Sequence, residues 1–334
     1  MENHTFHELN GDQRREFINT RLRYAAYRDA VQRNDHYRGS MGWKKIHGRD
    51  YLVRSYYGES GIRRQTSLGL RSKNTEAIKL EHDRNRSDAQ QRFRELKTVM
   101  SRQGAINRAL SLGRVPLVGA KIIRAIDEAG MIGRVHGAYA IYAYEAAAGV
   151  HIEPGLTATE DIDFLFDARQ RLTFVEGKDA SELSLRRLRQ KHPGKNYQIQ
   201  NRECYLFDLV KSPQAPRRTK RRDRLGTDED LTAAVIEELA WQESAPSFEA
   251  TAIDERGEAC RILTIDPRVW TAHKFWLSKR KNRESAKRRN DAAQARAVGQ
   301  LVAQYMQHLP YVADELRMLP KQVFNEAKPL FTEP

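Results

Sequence analysis

The stretch Thr159-Glu160-Asp161-Ile162-Asp163-Phe164-Leu165-Phe166-Asp167 decides how this chain is read. Its alternation of acidic and apolar residues has the period of a β-strand, so 160–167 is predicted as one. Asp161 and Asp163 then project from one face. Ile162, Phe164 and Phe166 take the other and can enter a core. Two carboxylates side by side repel, and a divalent cation relieves that repulsion. Mg²⁺ prefers oxygen ligands and commonly takes one or two carboxylates together with substrate phosphates. Glu160 and Asp167 read as surface or turn acids.

Working outward, a second strand carries the next acid. In Cys204-Tyr205-Leu206-Phe207-Asp208-Leu209-Val210, Asp208 interrupts an apolar run. A carboxylate there is costly unless it is paired, hydrogen-bonded or metal-bound. If the two strands are neighbours, Asp208 joins Asp161 and Asp163. Three carboxylates can hold two metal ions about 3.5–4 Å apart, a separation suited to in-line phosphoryl chemistry. Upstream, Ile132–Val135 is predicted as a short strand. His136 and Gly137-Ala138 follow it, then a helix over 139–148 closed by Gly149. Gly137 lets the backbone approach a phosphate at a helix start, where free N–H groups and the helix dipole favour an anion. Tyr139 and Tyr142 fit a core better than a stacking site. A DxD strand alone is common by chance. The order strand, glycine, helix, DxD strand, third acid is what points to phosphate chemistry.

At these residues the chain resembles the DNA-polymerase-β-type nucleotidyltransferase superfamily, whose pattern is matched by Gly137-Ala138, Asp161/Asp163 and Asp208. More narrowly it is similar to a bacterial family of nucleotidyltransferase-fold proteins. That likeness rests on the TEDID strand and on Phe207-Asp208-Leu209-Val210-Lys211-Ser212-Pro213. It also covers Ala272-His273-Lys274-Phe275, the Lys287/Asp291/Gln294/Ala295 helix, and the WKKIHGRDYL and SLGLRSKNTE segments. The resemblance implies an NTP substrate and Mg²⁺ or Mn²⁺ bound by Asp161, Asp163 and Asp208. It implies transfer of a nucleoside monophosphate to an acceptor hydroxyl, with pyrophosphate released. Gly137 and Ala138 would meet phosphate. In the superfamily a serine usually follows the glycine; Ala138 lacks that hydroxyl, which favours the alternative of a weak or inactive nucleic-acid or partner-binding module. Lys274 and Lys287 are candidate phosphate contacts, and Asp291 is expected to pair with Lys287 or Arg288.

The wider composition agrees. Lys and Arg number 58 against 44 Asp and Glu, a formal charge of +14 that favours polyanionic partners, RNA, tRNA or DNA among them. The basic, aromatic block around Trp43–Leu68 and the loop Arg217–Arg222 are candidate nucleic-acid contacts. No run of about 18 apolar residues occurs, so no membrane partner is expected, and the polar N-terminus lacks a signal-peptide pattern, which predicts a cytoplasmic protein. Cys204 and Cys260 fall in no zinc pattern and read as buried small residues.

The expected fold is α+β: a polymerase-β-like short mixed sheet flanked by helices, a helical C-terminal unit and an N-terminal helix/β-hairpin unit. Residues 1–112, 113–265 and 266–334 form the three expected regions. In the first, a helix over 10–34 precedes a hairpin turning at His47-Gly48, a turn at Gly58–Gly61 and a strand over 64–68. A long helix over 74–110 follows, broken near Gly104. In the second, Pro116 opens a helix that Gly130 ends. Further strands are expected at 172–175 and 197–200, a basic helix at 180–192 and a loop at 213–230. A hairpin over 247–265 turns at Arg256-Gly257. From Pro267 onward the pattern is helical, with a long helix over 285–306.

Overall fold

The computed structural model describes residues 6–57, 63–128, 133–157, 161–166, 189–190, 198–200, 206–211, 224–225, 231–232, 234–235 and 240–332. In the strands between 161 and 235, Ile162 alone has a described side chain.

Strand β1 (His7–Glu8) leads into helix α1 (Gly11–His36), whose start is fixed by a reciprocal Asn10–Gln13 capping box. Strands β2 (Ser40–Ile46), β3 (Arg49–Tyr57) and β4 (Arg63–Leu70) form an antiparallel sheet. His47 (φ 47°) and Gly48 (φ 77°) make the two-residue turn between β2 and β3 where the sequence predicts it. The expected turn at Gly58–Gly61 lies outside the described residues. Helix α2 (Lys73–Ala109) then packs along α1, with Tyr27 stacked on Phe93 and Thr20 bonded to Asn107.

The expected break at Gly104 does not occur, and α2 runs through it. Gly104 faces the β14–β15 turn, where Gly257 is the glycine that close approach requires. A Cβ on Gly257 would collide with the Gly104 carbonyl oxygen, and Asn107 Nδ2 donates to the Gly257 carbonyl at 2.9 Å. A Cβ on Gly104 itself would meet the Gly257 carbonyl oxygen at an ordinary 3.5 Å, and a single glycine costs a long helix only about 1 kcal/mol against alanine, so α2 continues.

Helix α3 (Leu117–Glu128) buries Ile122, Ile123 and Ile126. Its expected stop, Gly130, lies outside the described residues. Strand β5 (Gly133–His136) ends in a single 3₁₀ turn, Gly137–Tyr139, that opens helix α4 (Ala140–Ala148). Gly149 caps α4 at φ 69°, as predicted. Next come β6 (Val150–His151), which pairs with β1, and the short helix α5 (Pro154–Thr157).

Strands β7 (Asp161–Phe166), β8 (Arg189–Gln190), β9 (Gln198–Gln200) and β10 (Leu206–Lys211) join β5 in a mixed sheet of order β5-β7-β10-β9-β8. The basic helix expected over 180–192 is corrected at its end: Arg189–Gln190 is extended and pairs with β9, and 180–188 lies outside the described residues. The strand expected at 172–175 lies outside them too. Within the expected loop 213–230, β11 (Arg224–Leu225) is extended and pairs with β12 (Leu231–Thr232). Strand β13 (Ala234–Val235) runs parallel to the end of β10.

A short helix α6 (Ala240–Glu243) precedes the hairpin of β14 (Ser247–Ile253) and β15 (Ala259–Ile265). The chain closes with α7 (Pro267–Ser278), α8 (Ser285–Tyr305) and α9 (Lys321–Ala327). Among the described residues two large core clusters form beside a small one of Leu9, Leu112 and Ile253, and the architecture is α+β. One gathers Ile122, Ile126, Val135, Tyr139, Ile162 and Ile262 between the mixed sheet, α3 and β15. The other joins Ile141 and Tyr144 of α4 to Trp270, Val298 and Leu301 of α7 and α8. Cys260 is free and fully buried, its thiol pushed up to about 12 by desolvation. Among the described residues no helix is long and apolar enough to cross a membrane.

Candidate active site

The three acids come together through strand register. β7 and β10 run parallel, with Asp163 opposite Asp208 and Asp161 opposite Leu206. On the far side of β7, antiparallel β5 places His136 opposite Asp163. β9 places Gln198 opposite Asp208. A row His136, Asp163, Asp208, Gln198 therefore crosses four strands. Residues opposite one another share a face, and the two-residue alternation puts Asp161 on that face as well. Val135 and Ile162 belong to the other face, buried in the core with Ile122 and Ile262. Like charges directly opposite each other destabilise a sheet. Asp163 against Asp208 is such a pair.

His136 shows what lies over the acid-bearing face. It is 8% exposed, and its ring centroid lies 5.4 Å from that of His273 on α7. His273 in turn stacks on Trp276 and meets the edge of Trp241. Nδ1 of both histidines is buried without a hydrogen-bond partner among the described residues. Leaving such an atom unpaired costs about 1–3 kcal/mol. Burial, reinforced by the charges of Lys274 and Arg134, lowers His136 to about 3. Burial holds His273 well below its ordinary value too, with His136 and Lys274 adding to the effect. Both imidazoles are neutral at physiological pH, each with one donor and one acceptor nitrogen.

Lys274 follows His273 on α7 and is 8% exposed. Its Nζ donates to Asp291 Oδ1 of α8 at 2.9 Å, and Arg283 Nε donates to the other oxygen. The expected pairing of Asp291 with Lys287 or Arg288 is thus replaced by Lys274 and Arg283. The reason is burial: the packing of α7 on α8 encloses Asp291, and a buried carboxylate takes the cations that reach it inside the interface. Lys287 is exposed on α8. The ammonium of Lys274 has three protons, so Asp291 does not exhaust it.

Gly137 sits at φ 65°, a conformation that favours glycine, between His136 and the helical turn. Its carbonyl accepts a hydrogen bond from Trp270 Nε1 at 3.0 Å. Trp270 is fully buried and packs edge-on to Tyr144, so the second core clamps the glycine turn. As at any helix start, the first amides have no intrahelical acceptor. Ala138 is half-buried at this position. Tyr139 and Tyr142 are buried, as core residues.

Sequence reasoning missed the ion pair that fixes the far end of α4. Glu145, 2% exposed, accepts from Arg114 Nη2 at 2.6 Å and Nε at 3.1 Å, and from the Ile152 amide at 2.7 Å. Arg114 also donates to the Ile152 carbonyl at 2.8 Å. Burial raises Glu145 above the usual carboxylate range, and Arg114 opposes that shift. The signal available was a glutamate inside an apolar helix, Tyr142-Ala143-Tyr144-Glu145-Ala146.

Among the described residues no three His, Cys, Asp or Glu side chains gather as a metal-ligand set; the side chains of Asp161, Asp163 and Asp208 lie outside them. A family model described as Nucleotidyltransferase matches residues 118–318, which begin in α3, include β5, β7, β10, α7 and α8, and end before α9. No curated protein and no solved structure matches the chain.

Proposed function

This chain belongs to that nucleotidyltransferase family, and from that premise we propose that it transfers a nucleoside monophosphate from an NTP to an acceptor hydroxyl, using Mg²⁺ or Mn²⁺ on a polymerase-β-like scaffold. The observation that carries the proposal is the register of Asp163 against Asp208, with Asp161 on the same face. An opposed carboxylate pair is unfavourable by itself and fits a divalent cation with oxygen preference. Asp161, Asp163 and Asp208 would hold it. When bound, the metal would act as a Lewis acid on the phosphate oxygens and lower the pKa of the attacking hydroxyl.

The protein's own groups do the rest. The Gly137–Ala138 turn offers backbone amides to the triphosphate at the start of α4. Lys274, whose charge already reaches His136 in this row, supplies a point charge for phosphate. Lys287, exposed on α8, would meet phosphate at the rim. Asp208 accepts the proton of the acceptor hydroxyl. The hydroxyl oxygen bonds to the α-phosphorus, the bond from that phosphorus to the α–β bridging oxygen breaks, and pyrophosphate leaves.

The test is incubation with each α-³²P-labelled NTP, Mg²⁺ or Mn²⁺, and total cellular RNA and protein. The Asp161→Ala/Asp163→Ala variant is the control. Label in a macromolecule only with the acids intact supports transfer. Ala138 favours a second reading, a fold that binds nucleotide or a partner without turnover. Under it, Mg²⁺ with NTP raises the melting temperature by mass action while no label moves.

A further inference from the structure

We propose that the sheet β2-β3-β4 is a docking surface for double-stranded DNA, bound in the major groove through the face that carries Lys44, Arg49 and Arg63. The register separates the two faces. Trp43 lies opposite Leu52, and Leu52 is fully buried. Trp43 also receives the Arg71 guanidinium at 5.1 Å, beside the start of α2. That face is covered around Leu52 and Trp43, while Lys45, Arg64 and Thr66 at its margins are exposed. The other face holds Lys44, Ile46, Arg49, Tyr51, Val53, Ser55, Tyr57, Arg63, Gln65, Ser67 and Leu70 by strand alternation, with Ser55 buried and its Oγ accepting from Arg63 and Gln65.

Three properties of that outer face point to a nucleic acid. The first is charge. Lys44, Arg49 and Arg63 are exposed, one on each strand, and have no carboxylate partner among the described residues. The sheet's one described acid, Asp50, lies on the inner face and is engaged by Arg71 at 3.6 Å. The second is exposed apolar surface among the cations, with Ile46 37% and Leu70 43% exposed. Apolar groups beside Gln65 and Ser67 suit base edges, where cations alone suit phosphates. The third is size. Three strands about 4.8 Å apart span roughly 10 Å between their outer backbones, and the B-form major groove is about 12 Å wide. The major groove of A-form RNA is too narrow for such an element. Alternation places two aromatics on this face, Tyr51 and Tyr57, six residues or roughly 20 Å apart along β3, too far to stack successive bases as a single-strand platform does. The acids of the candidate active site take no part, so this surface stands or falls independently of the transfer reaction.

The full-length protein is titrated into a fluorescein-labelled DNA duplex of about two helical turns and followed by anisotropy across a salt series. An RNA duplex and a single DNA strand of the same sequence are run alongside. The Lys44→Ala/Arg49→Ala/Arg63→Ala variant should weaken DNA binding at least about tenfold. It should also reduce the slope of log affinity against log salt by about two to three. Lys45→Ala removes the same charge one residue away, on the inner face, and should leave the slope unchanged. Lys44→Gln alone should lower the slope by about one and keeps the test open if the triple variant does not fold. An unchanged slope in the face variants, an equal loss from Lys45→Ala, or RNA or single-stranded DNA bound as tightly as the duplex would overturn the proposal.

Discussion

Two of the molecule's sheets treat charge in opposite ways. In β2-β3-β4 the cations Lys44, Arg49 and Arg63 share an exposed face and have no carboxylate partner among the described residues. In β5-β7-β10 the acids share a face with a buried, neutral histidine, and helix α7 lies against that face near β5. The first arrangement costs little, because water solvates an exposed ammonium. The second is unfavourable until something positive arrives. The contrast separates the surface proposed to attract a polyanion from the site proposed to carry the chemistry.

The largest effect that would sharpen the contrast is on transfer. Asp163→Asn and Asp208→Asn should each lower the rate on the order of 10³-fold, measured as label transferred per minute. Duplex binding should stay within about twofold if the two sheets divide their labour. Loss of both properties together would break the comparison. Next is Glu145→Ala, which strands Arg114 at the end of α4. Urea denaturation should show a loss of about 3 kcal/mol, far more than any single outward cation of the first sheet.

The third effect is on pH. His136 is lowered to about 3 from an ordinary 6.5, so the unfolded chain binds the proton that the native state refuses. Its contribution is fully present above 6.5 and fades as pH falls toward about 3, on the order of a few kcal/mol. His136→Asn should flatten this acid limb in melts taken across that range. An unchanged limb would remove the histidine from the account. Smaller still is Trp270→Phe, which keeps the core packing and deletes the bond to the Gly137 carbonyl. About 1 kcal/mol of stability should go, with a drop in transfer that a purely structural contact would not cause. The smallest is Gly48→Ala in the β2–β3 turn, also near 1 kcal/mol by left-handed strain. It should leave transfer untouched.

The two sheets also differ in how far the sequence disclosed them. The first was legible because its information is local: His47-Gly48 states the turn, and the turn fixes the register. Gly149 and Arg256-Gly257 were readable for the same reason. In the second, the strands around Asp163 and Asp208 could be read from alternation. Their pairing is a contact across more than forty residues, which no local pattern encodes. The place of His136 in the row depends on that same pairing. The Arg114–Glu145 pair and the Trp270 bond to Gly137 are likewise long-range. Gly104 misled because one glycine costs a 37-residue helix only about 1 kcal/mol, too little to break it. The partners of Asp291 were misjudged because adjacency on one helix competed with burial between two.

The tie between Gly104 and Gly257 has a mechanical meaning. It fastens one end of α2 to the hairpin that lies beside the acid-bearing domain, while Thr75, near the other end, abuts Gly69 of the basic sheet. At about 1.5 Å per residue, roughly 44 Å of helix separate the two anchor points. Helix α1 runs beside it as a brace. The pair is a strut of set length, and inserting one heptad would move the basic sheet outward by about 10 Å without touching either end's chemistry.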